Sequence, residues 1–150
     1  MAPSTGKPVY VLNGPNLNQL GEREPDKYGT ETLDDVRTLC ERTAAEVGLG
    51  IDFRQSNHEG TLVDWIQEAR QSGAGIILNP AGYTTTSIAI MDALLAAELP
   101  VIEVHITNIH QREEFRQHSY VSKVARAVIA GAGVHGYQLA VQHMARLLEA

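Results

Sequence analysis

The alternation of short β-branched runs with segments of helical period constrains this chain more than any other feature. VYVL (Val9–Leu12), IDFRQ (Ile51–Gln55), GIIL (Gly75–Leu78), VIEVH (Val101–His105) and RAVIA (Arg126–Ala130) read as strands. Between the first two, TLDDVRTLCERTAAEV carries a capping-box spacing at Thr32 and Asp35. An apolar stripe of Leu33, Val36, Leu39, Cys40 and Val47 follows, and Gly48 stops it. TLVDWIQEARQSG (Thr61–Gly73) and SIAIMDALLAAEL (Ser87–Leu99) are the next helices, with Ser87 the cap of the second. YQLAVQHMARLLEA (Tyr137–Ala150) is the last. Five strand–helix units of this size predict a parallel sheet with helices on both faces, a doubly wound three-layer α/β fold. Most of the strands lack strict alternation, as strands covered on both faces do.

Composition narrows the function. The 150 residues fit one domain, 1–150, with 1–7 a flexible N-terminal tail. A net charge of −6 argues against binding a nucleic-acid backbone. The opening MAPSTGKPVY lacks the basic and apolar regions of a signal peptide, and no apolar run approaches the roughly 18 residues of a membrane span. A single cysteine, Cys40, has no internal partner, which fits a reducing compartment. The expectation is a cytoplasmic enzyme-sized domain with a small-molecule ligand.

In doubly wound sheets ligands bind beyond the carboxyl ends of the strands. That selects Asn13–Thr32, Ser56–Gly60, Asn79–Thr86, His105–Gln117 and Gly131–Gly136. The first of these is the longest, about 20 residues, and it contains REPDKYG, Arg23–Gly29. A free tyrosine titrates near pH 10, so about one in a thousand is ionised at neutral pH. A guanidinium nearby favours the phenolate, which makes Arg23 and Tyr28 a candidate base with its activator. On VIEVH, Glu103 and His105 stand two apart on one face. They read as a general acid with an orienting carboxylate. A metal reading, with His110 or His118 as further ligands, finds no supporting His or Cys motif. GAGVHG (Gly131–Gly136) matches a dinucleotide fingerprint literally. Only Glu149 is acidic in the 14 residues that follow, so its glycines are expected to form a tight turn into the last helix. TGK (Thr5–Lys7) lacks the preceding strand of a phosphate loop. Taken singly, Tyr28, Arg23, Asn13, Asn16, Asn79, Asp92 and Arg116 each have ordinary structural roles open to them. Their gathering at one sheet edge is what favours a site.

The stretches LNGPNLNQLGEREPDKYG, QSNHEGTLVDWI, NPAGYTTTS and VIEVHITNIHQREEFRQHSY resemble type II 3-dehydroquinate dehydratase in order and spacing over nearly the whole chain. The resemblance implies a flavodoxin-like five-stranded fold, a homo-oligomer (a dodecamer built from trimers), and neither cofactor nor metal. It implies loss of water from 3-dehydroquinate to give 3-dehydroshikimate, by anti elimination through an enolate. The pathway implied is shikimate biosynthesis of aromatic amino acids, with quinate catabolism using the same reaction. By motif, Tyr28 would be the base, Arg23 its activator, and Asn16 the holder of a water on the enolate oxygen. His105 would protonate the leaving hydroxyl, oriented by Glu103. Asn79, Ile106 and Thr107 would hold the carboxylate. Arg116 and Asp92 would bind ring hydroxyls, Asp92 from a neighbouring subunit. One position departs from the pattern: Thr85 stands where the family most often has a histidine on a ring hydroxyl, so weaker substrate affinity is expected. A flavin carrier would need a hydroxyl- and glycine-rich phosphate loop in place of NGPNLN. A phosphoacceptor domain would need an aspartate at Asn79 and a lysine at Gly131.

Overall fold

The computed structural model describes residues 6–22 and 24–149. β1 (Val9–Asn13), β2 (Ile51–Gln55), β3 (Gly75–Asn79), β4 (Val101–His105) and β5 (Ala127–Ala130) form one parallel sheet in the order β2-β1-β3-β4-β5. The helices are α1 (Pro25–Tyr28), α2 (Leu33–Glu46), α3 (Glu59–Ser72), α4 (Ile88–Ala97) and α5 (His135–Glu149). Along β1, successive side chains enter opposite layers, as a pleated strand requires. Val9 and Val11 pack with Val36 and Cys40 of α2 and Tyr137 and Val141 of α5. Tyr10 and Leu12 pack with Leu62 and Ile66 of α3 and Ile90 and Leu94 of α4. Full burial of each such aliphatic side chain contributes about 1.5–3 kcal/mol, and this two-sided burial fixes the register. The flavodoxin-like doubly wound architecture expected from the sequence is the one found. Among the described residues no helix is long and apolar enough to cross a membrane.

Local signals act where they were read. The Thr32 hydroxyl accepts from Asp35 N–H at 3.2 Å, and the Asp35 carboxylate accepts from Thr32 N–H at 2.9 Å, closing the capping box of α2. The Ser87 hydroxyl accepts from Ile90 N–H at 2.9 Å to cap α4. Burial pushes the Cys40 thiol up to about 12, so it behaves as a small core hydrophobe. Gly131, at φ +91°, makes the expected turn toward α5, and its N–H donates to the His105 carbonyl at 3.3 Å.

Two expectations need correction. Five strand–helix units were expected, but the β4–β5 crossover holds no α-helix. It consists of three 3-10 turns, Ile109–Gln111, Glu114–Arg116 and Val121–Lys123. The run HQREEFRQH (His110–His118) has no apolar stripe to bury, and the Asn108 side chain already caps the first turn by accepting from His110 N–H at 3.1 Å. Val121, fully buried, anchors this segment in the α4 layer, with Val124 and Ala125 packed against the same cluster. The second correction is at strand ends: β1 and β3 each run one residue further than read, to Asn13 and Asn79. These two pair in register at the point where strand order reverses, which is where such sheets open a crevice.

Candidate active site

The crevice begins with a close approach. Gly14 N–H donates to the Asn79 carbonyl at 2.8 Å, and a Cβ on Gly14 would lie 2.5 Å from the Pro80 carbonyl oxygen. Only glycine lets the β1 and β3 exits run this close. Beyond them lies a cavity of about 260 Å³. One wall is Pro15, Asn16 and Leu17, another is Asn79, Ala81 and Gly82, a third is Ile106, Thr107 and Arg116, and Tyr28 covers the opening side. Six of the residues selected from the sequence thus meet there: Asn16, Tyr28, Asn79, Ile106, Thr107 and Arg116. They come from three separate loops.

Asn16 sits at φ +69°, a left-handed conformation that asparagine tolerates better than most residues. Its N–H donates to the Asn57 side-chain oxygen at 3.0 Å, and Tyr83 Oη donates to the Asn57 carbonyl at 2.7 Å. Asn57 is therefore the peg that links the β1, β2 and β3 exits. Asn79 is held by a one-way relay. Asn13 Nδ2 donates to the Arg54 carbonyl at 2.9 Å, which leaves Asn13 Oδ1 to accept from Tyr137 Oη at 2.7 Å. The Tyr137 oxygen must then accept, and it does, from Asn79 Nδ2 at 2.9 Å. Asn79 Oδ1 accepts from Ala81 N–H at 3.1 Å, so one amide N–H of Asn79 remains for a ligand. Tyr137 is wholly buried, and burial pushes its phenol well above the ordinary value, so it stays a neutral link.

Tyr28 closes the one-turn helix α1. Its hydroxyl accepts from Arg112 Nη1 at 2.8 Å, and the Arg112 guanidinium lies 5.5 Å from the centre of its ring. Arg112 Nη1 also reaches Thr107 Oγ1 at 3.5 Å. Arg23, expected as the activator, lies outside the described residues. Arg116 lines the cavity while its Nε bonds Glu113 at 3.2 Å, so the ion pair open to it from the sequence and the site position hold together.

His105 immediately precedes the Ile106–Thr107 wall and is 5% exposed. Its Nε2 bonds the fully buried Glu103 carboxylate, which leaves Nδ1 as the ring nitrogen open to a ligand. Glu103 also accepts from Ser119 Oγ at 2.8 Å and Ser122 Oγ at 2.6 Å. Four selected residues are not among those that line the cavity: Glu103 and His105, just before the Ile106–Thr107 wall, and Asp92 and Thr85. Asp92 is exposed on α4, and Thr85 is half-buried at the end of the 3-10 turn Ala81–Thr85 whose first two residues form the wall. Among the described residues no group of three or more His, Cys, Asp or Glu side chains is placed to hold a metal ion.

Arg112, Asn57, Tyr137, Ser119 and Ser122 were not singled out from the sequence. Arg112 and the two serines lie in or beside VIEVHITNIHQREEFRQHSY, but their partners are set by the fold.

The model of the dehydroquinase class II family matches residues 7–145. The chain is similar to the 3-dehydroquinate dehydratase of Streptomyces avermitilis, 62% identical over 143 residues, 95% of this chain and 90% of the relative. It is similar to that of Rhodopseudomonas palustris, 58% identical over 143 residues, 95% of each. The crystal structure of a type II dehydroquinase from Propionibacterium acnes superposes with a TM-score of 0.90 at 45% identity, covering 93% of this chain and 97% of that one.

Proposed function

The chain belongs to the dehydroquinase class II family, and from that premise we propose that it is a hydro-lyase converting 3-dehydroquinate to 3-dehydroshikimate by anti elimination through an enolate. The observation that carries the reading is the meeting, at one cavity, of a guanidinium-held tyrosine with the strand end that bears a carboxylate-paired histidine. A volume of about 260 Å³ suits a single substituted ring. It lies just under the roughly 300–1,000 Å³ of sites for larger ligands.

The chemistry follows from the residues. Removing a proton beside a ketone needs a base stronger than a carboxylate, and a tyrosine held as phenolate is one. Arg112 Nη1 donates to its oxygen at 2.8 Å, and Arg23 acts in the same sense. Tyr28 takes the proton, and the electron pair moves onto the ketone oxygen as an enolate. Asn16, pinned by Asn57, holds a water on that oxygen. As the enolate collapses, the carbon–oxygen bond to the hydroxyl breaks. His105 supplies a proton to it, so the leaving group is water rather than hydroxide. Atoms and charge balance through proton transfers alone, with no call on a cofactor or metal. The remaining Asn79 N–H, with Ile106 and Thr107, holds the substrate carboxylate, and Arg116 a ring hydroxyl. Thr85 faces a second ring hydroxyl at the histidine position.

Asp92 completes the site from a neighbouring subunit of a homo-oligomer, a dodecamer of trimers. Supporting this, Asp92 shares one face of α4 with Ile88 and Leu95, 49% and 57% exposed, an apolar flank unusual on a solvent-facing helix. The enzyme acts as a single domain in the cytoplasm and feeds the shikimate route to aromatic amino acids. The deciding experiment mixes purified protein with 3-dehydroquinate and follows the ultraviolet absorbance of the conjugated enone carboxylate. Absorbance that grows in proportion to enzyme supports the reading, and none at high enzyme concentration overturns it. Aromatic auxotrophy on deletion separates the biosynthetic role from quinate breakdown.

A further inference from the structure

Glu103 presents a problem that the proposed reaction leaves unsolved. It is wholly buried, flanked in register by the aliphatic Leu78 on β3 and Val128 on β5. An ionised carboxylate offers about four acceptor sites, and burying one with a single partner costs several kcal/mol. His105 fills one site. The proton on Nε2, between them, then has two possible homes, and only while it stays on the ring, with Glu103 charged, can the imidazole hold a second proton on Nδ1 to deliver to a leaving group.

We infer that Ser119 and Ser122 are positioning residues for the acid step, a pair of hydroxyl donors that clamp Glu103 as a carboxylate so that His105 can carry on Nδ1 the proton it must deliver. The inference rests on the function proposed above and deepens it. The direction of each bond is fixed by its neighbours. Ser119 Oγ accepts from Ser122 N–H at 3.2 Å, which turns its own O–H toward Glu103 Oε2 at 2.8 Å. Ser122 gives its O–H to Glu103 Oε1 at 2.6 Å. Ser119 therefore has an ordinary turn-stabilising role, but that role uses its lone pair and leaves its proton for the carboxylate. Together with His105, three donors fill both oxygens.

A donor to a carboxylate favours the charged form. Burial alone would push the Glu103 carboxyl up. The hydrogen bond and charge of His105, then Ser122 and Ser119, outweigh it and hold the group below the usual carboxylate range. Its ring partner is His105. The crossover's other titratable groups, His110, Arg112, Glu113, Glu114, Arg116, His118, Tyr120, Lys123 and Arg126, make no hydrogen bond or ion pair with Glu103 among the described residues. On α4, Asp92 and Glu98 are exposed, and α5 covers the opposite sheet face. Ser119 also lies three residues after Arg116, and Tyr120 N–H ties the same segment to the Thr84 carbonyl at 3.1 Å. One crossover thus carries both a cavity wall and the clamp behind the acid.

The test compares Ser119→Ala, Ser122→Ala and the double variant with Ser119→Thr and Ser122→Thr, which keep the hydroxyls. Because the donors hold the Glu103 carboxyl down, removing them raises it, and ionisation then requires higher pH. The expected result in the double alanine variant is a fall in kcat of roughly tenfold or more, KM changed little, and the acid limb of the rate displaced to higher pH. The threonine variants should restore both. Carboxyl-labelled glutamate NMR on the full chain reads the same titration without turnover, so it decides the clamp even if 3-dehydroquinate proves not to be the substrate. A double variant folded by circular dichroism, with wild-type kcat and acid limb, overturns the inference. So does an unchanged Glu103 titration. If the double variant does not fold, the single variants carry the same two outcomes.

Discussion

Arg112→Met deletes a cation that donates to the Tyr28 hydroxyl while keeping most of the side-chain bulk. The Arg112 side chain is 13% exposed, so its bond to Tyr28 is only weakly screened by solvent. A hydrogen bond to a charged group contributes about 1.5–3 kcal/mol. If Tyr28 carries its negative charge only while acting as base, that amount falls on the reactive state. The expected loss in kcat is about 10- to 150-fold at neutral pH. Its contact with Glu113, at 3.7 Å and half exposed, contributes almost nothing to stability, so the variant should fold as wild type does. KM should move less than threefold, because Arg112 stands behind Tyr28 and only brushes Thr107 at 3.5 Å. Arg112→Lys keeps the charge and loses the planar fork, and should fall between the two. The assay is the initial rate of enone formation across substrate concentrations. A methionine variant within threefold of wild-type kcat would show that Arg112 does not support the base.

The layout of this fold was legible because its signals are local. The capping box at Thr32, the Ser87 cap and the β-branched runs each act within a few residues, and together they specify strand, helix and the edge where loops gather. The β4–β5 crossover was not legible, since 3-10 turns have no extended period to detect and are held by contacts such as Tyr120 to Thr84. Site residues divide the same way. Tyr28, Glu103 and His105 stood out by residue type and position at a strand exit. Arg112 is 84 residues from Tyr28 in sequence, and Tyr137 is 124 from Asn13. Nothing in spacing announces such pairs. Arg112 was hidden further by its company, since the charged run QREEFR reads as a solvated stretch until the crossover brings Arg112 onto Tyr28. Asp92 marks a different limit: the role proposed for it depends on a second copy, which neither the period of α4 nor a single chain can place.

Three further outcomes are expected. Tyr28→Phe removes the base and almost no volume, so kcat should drop by about 10²–10⁴-fold while substrate still protects the protein in a thermal-shift titration; activity within tenfold of wild type would take Tyr28 out of the mechanism. Thr85→His should lower KM by roughly 2- to 13-fold, the worth of one hydrogen bond of about 0.5–1.5 kcal/mol, and an unchanged KM would show that the loop cannot turn position 85 toward the ring. Tyr137→Phe should affect stability and binding together, for one reason. Its hydroxyl takes a proton from Asn79 and gives one to Asn13, so its loss orphans two buried amides, a cost of about 1–3 kcal/mol for each group left unsatisfied, or a melting temperature lower by at least roughly 2–4 °C in a chain of this size. Freed from the relay, Asn79 can turn its amide, and KM should rise more than kcat falls. A variant that melts earlier yet binds substrate as tightly as wild type would mean that the orientation of Asn79 matters to the core and not to the ligand.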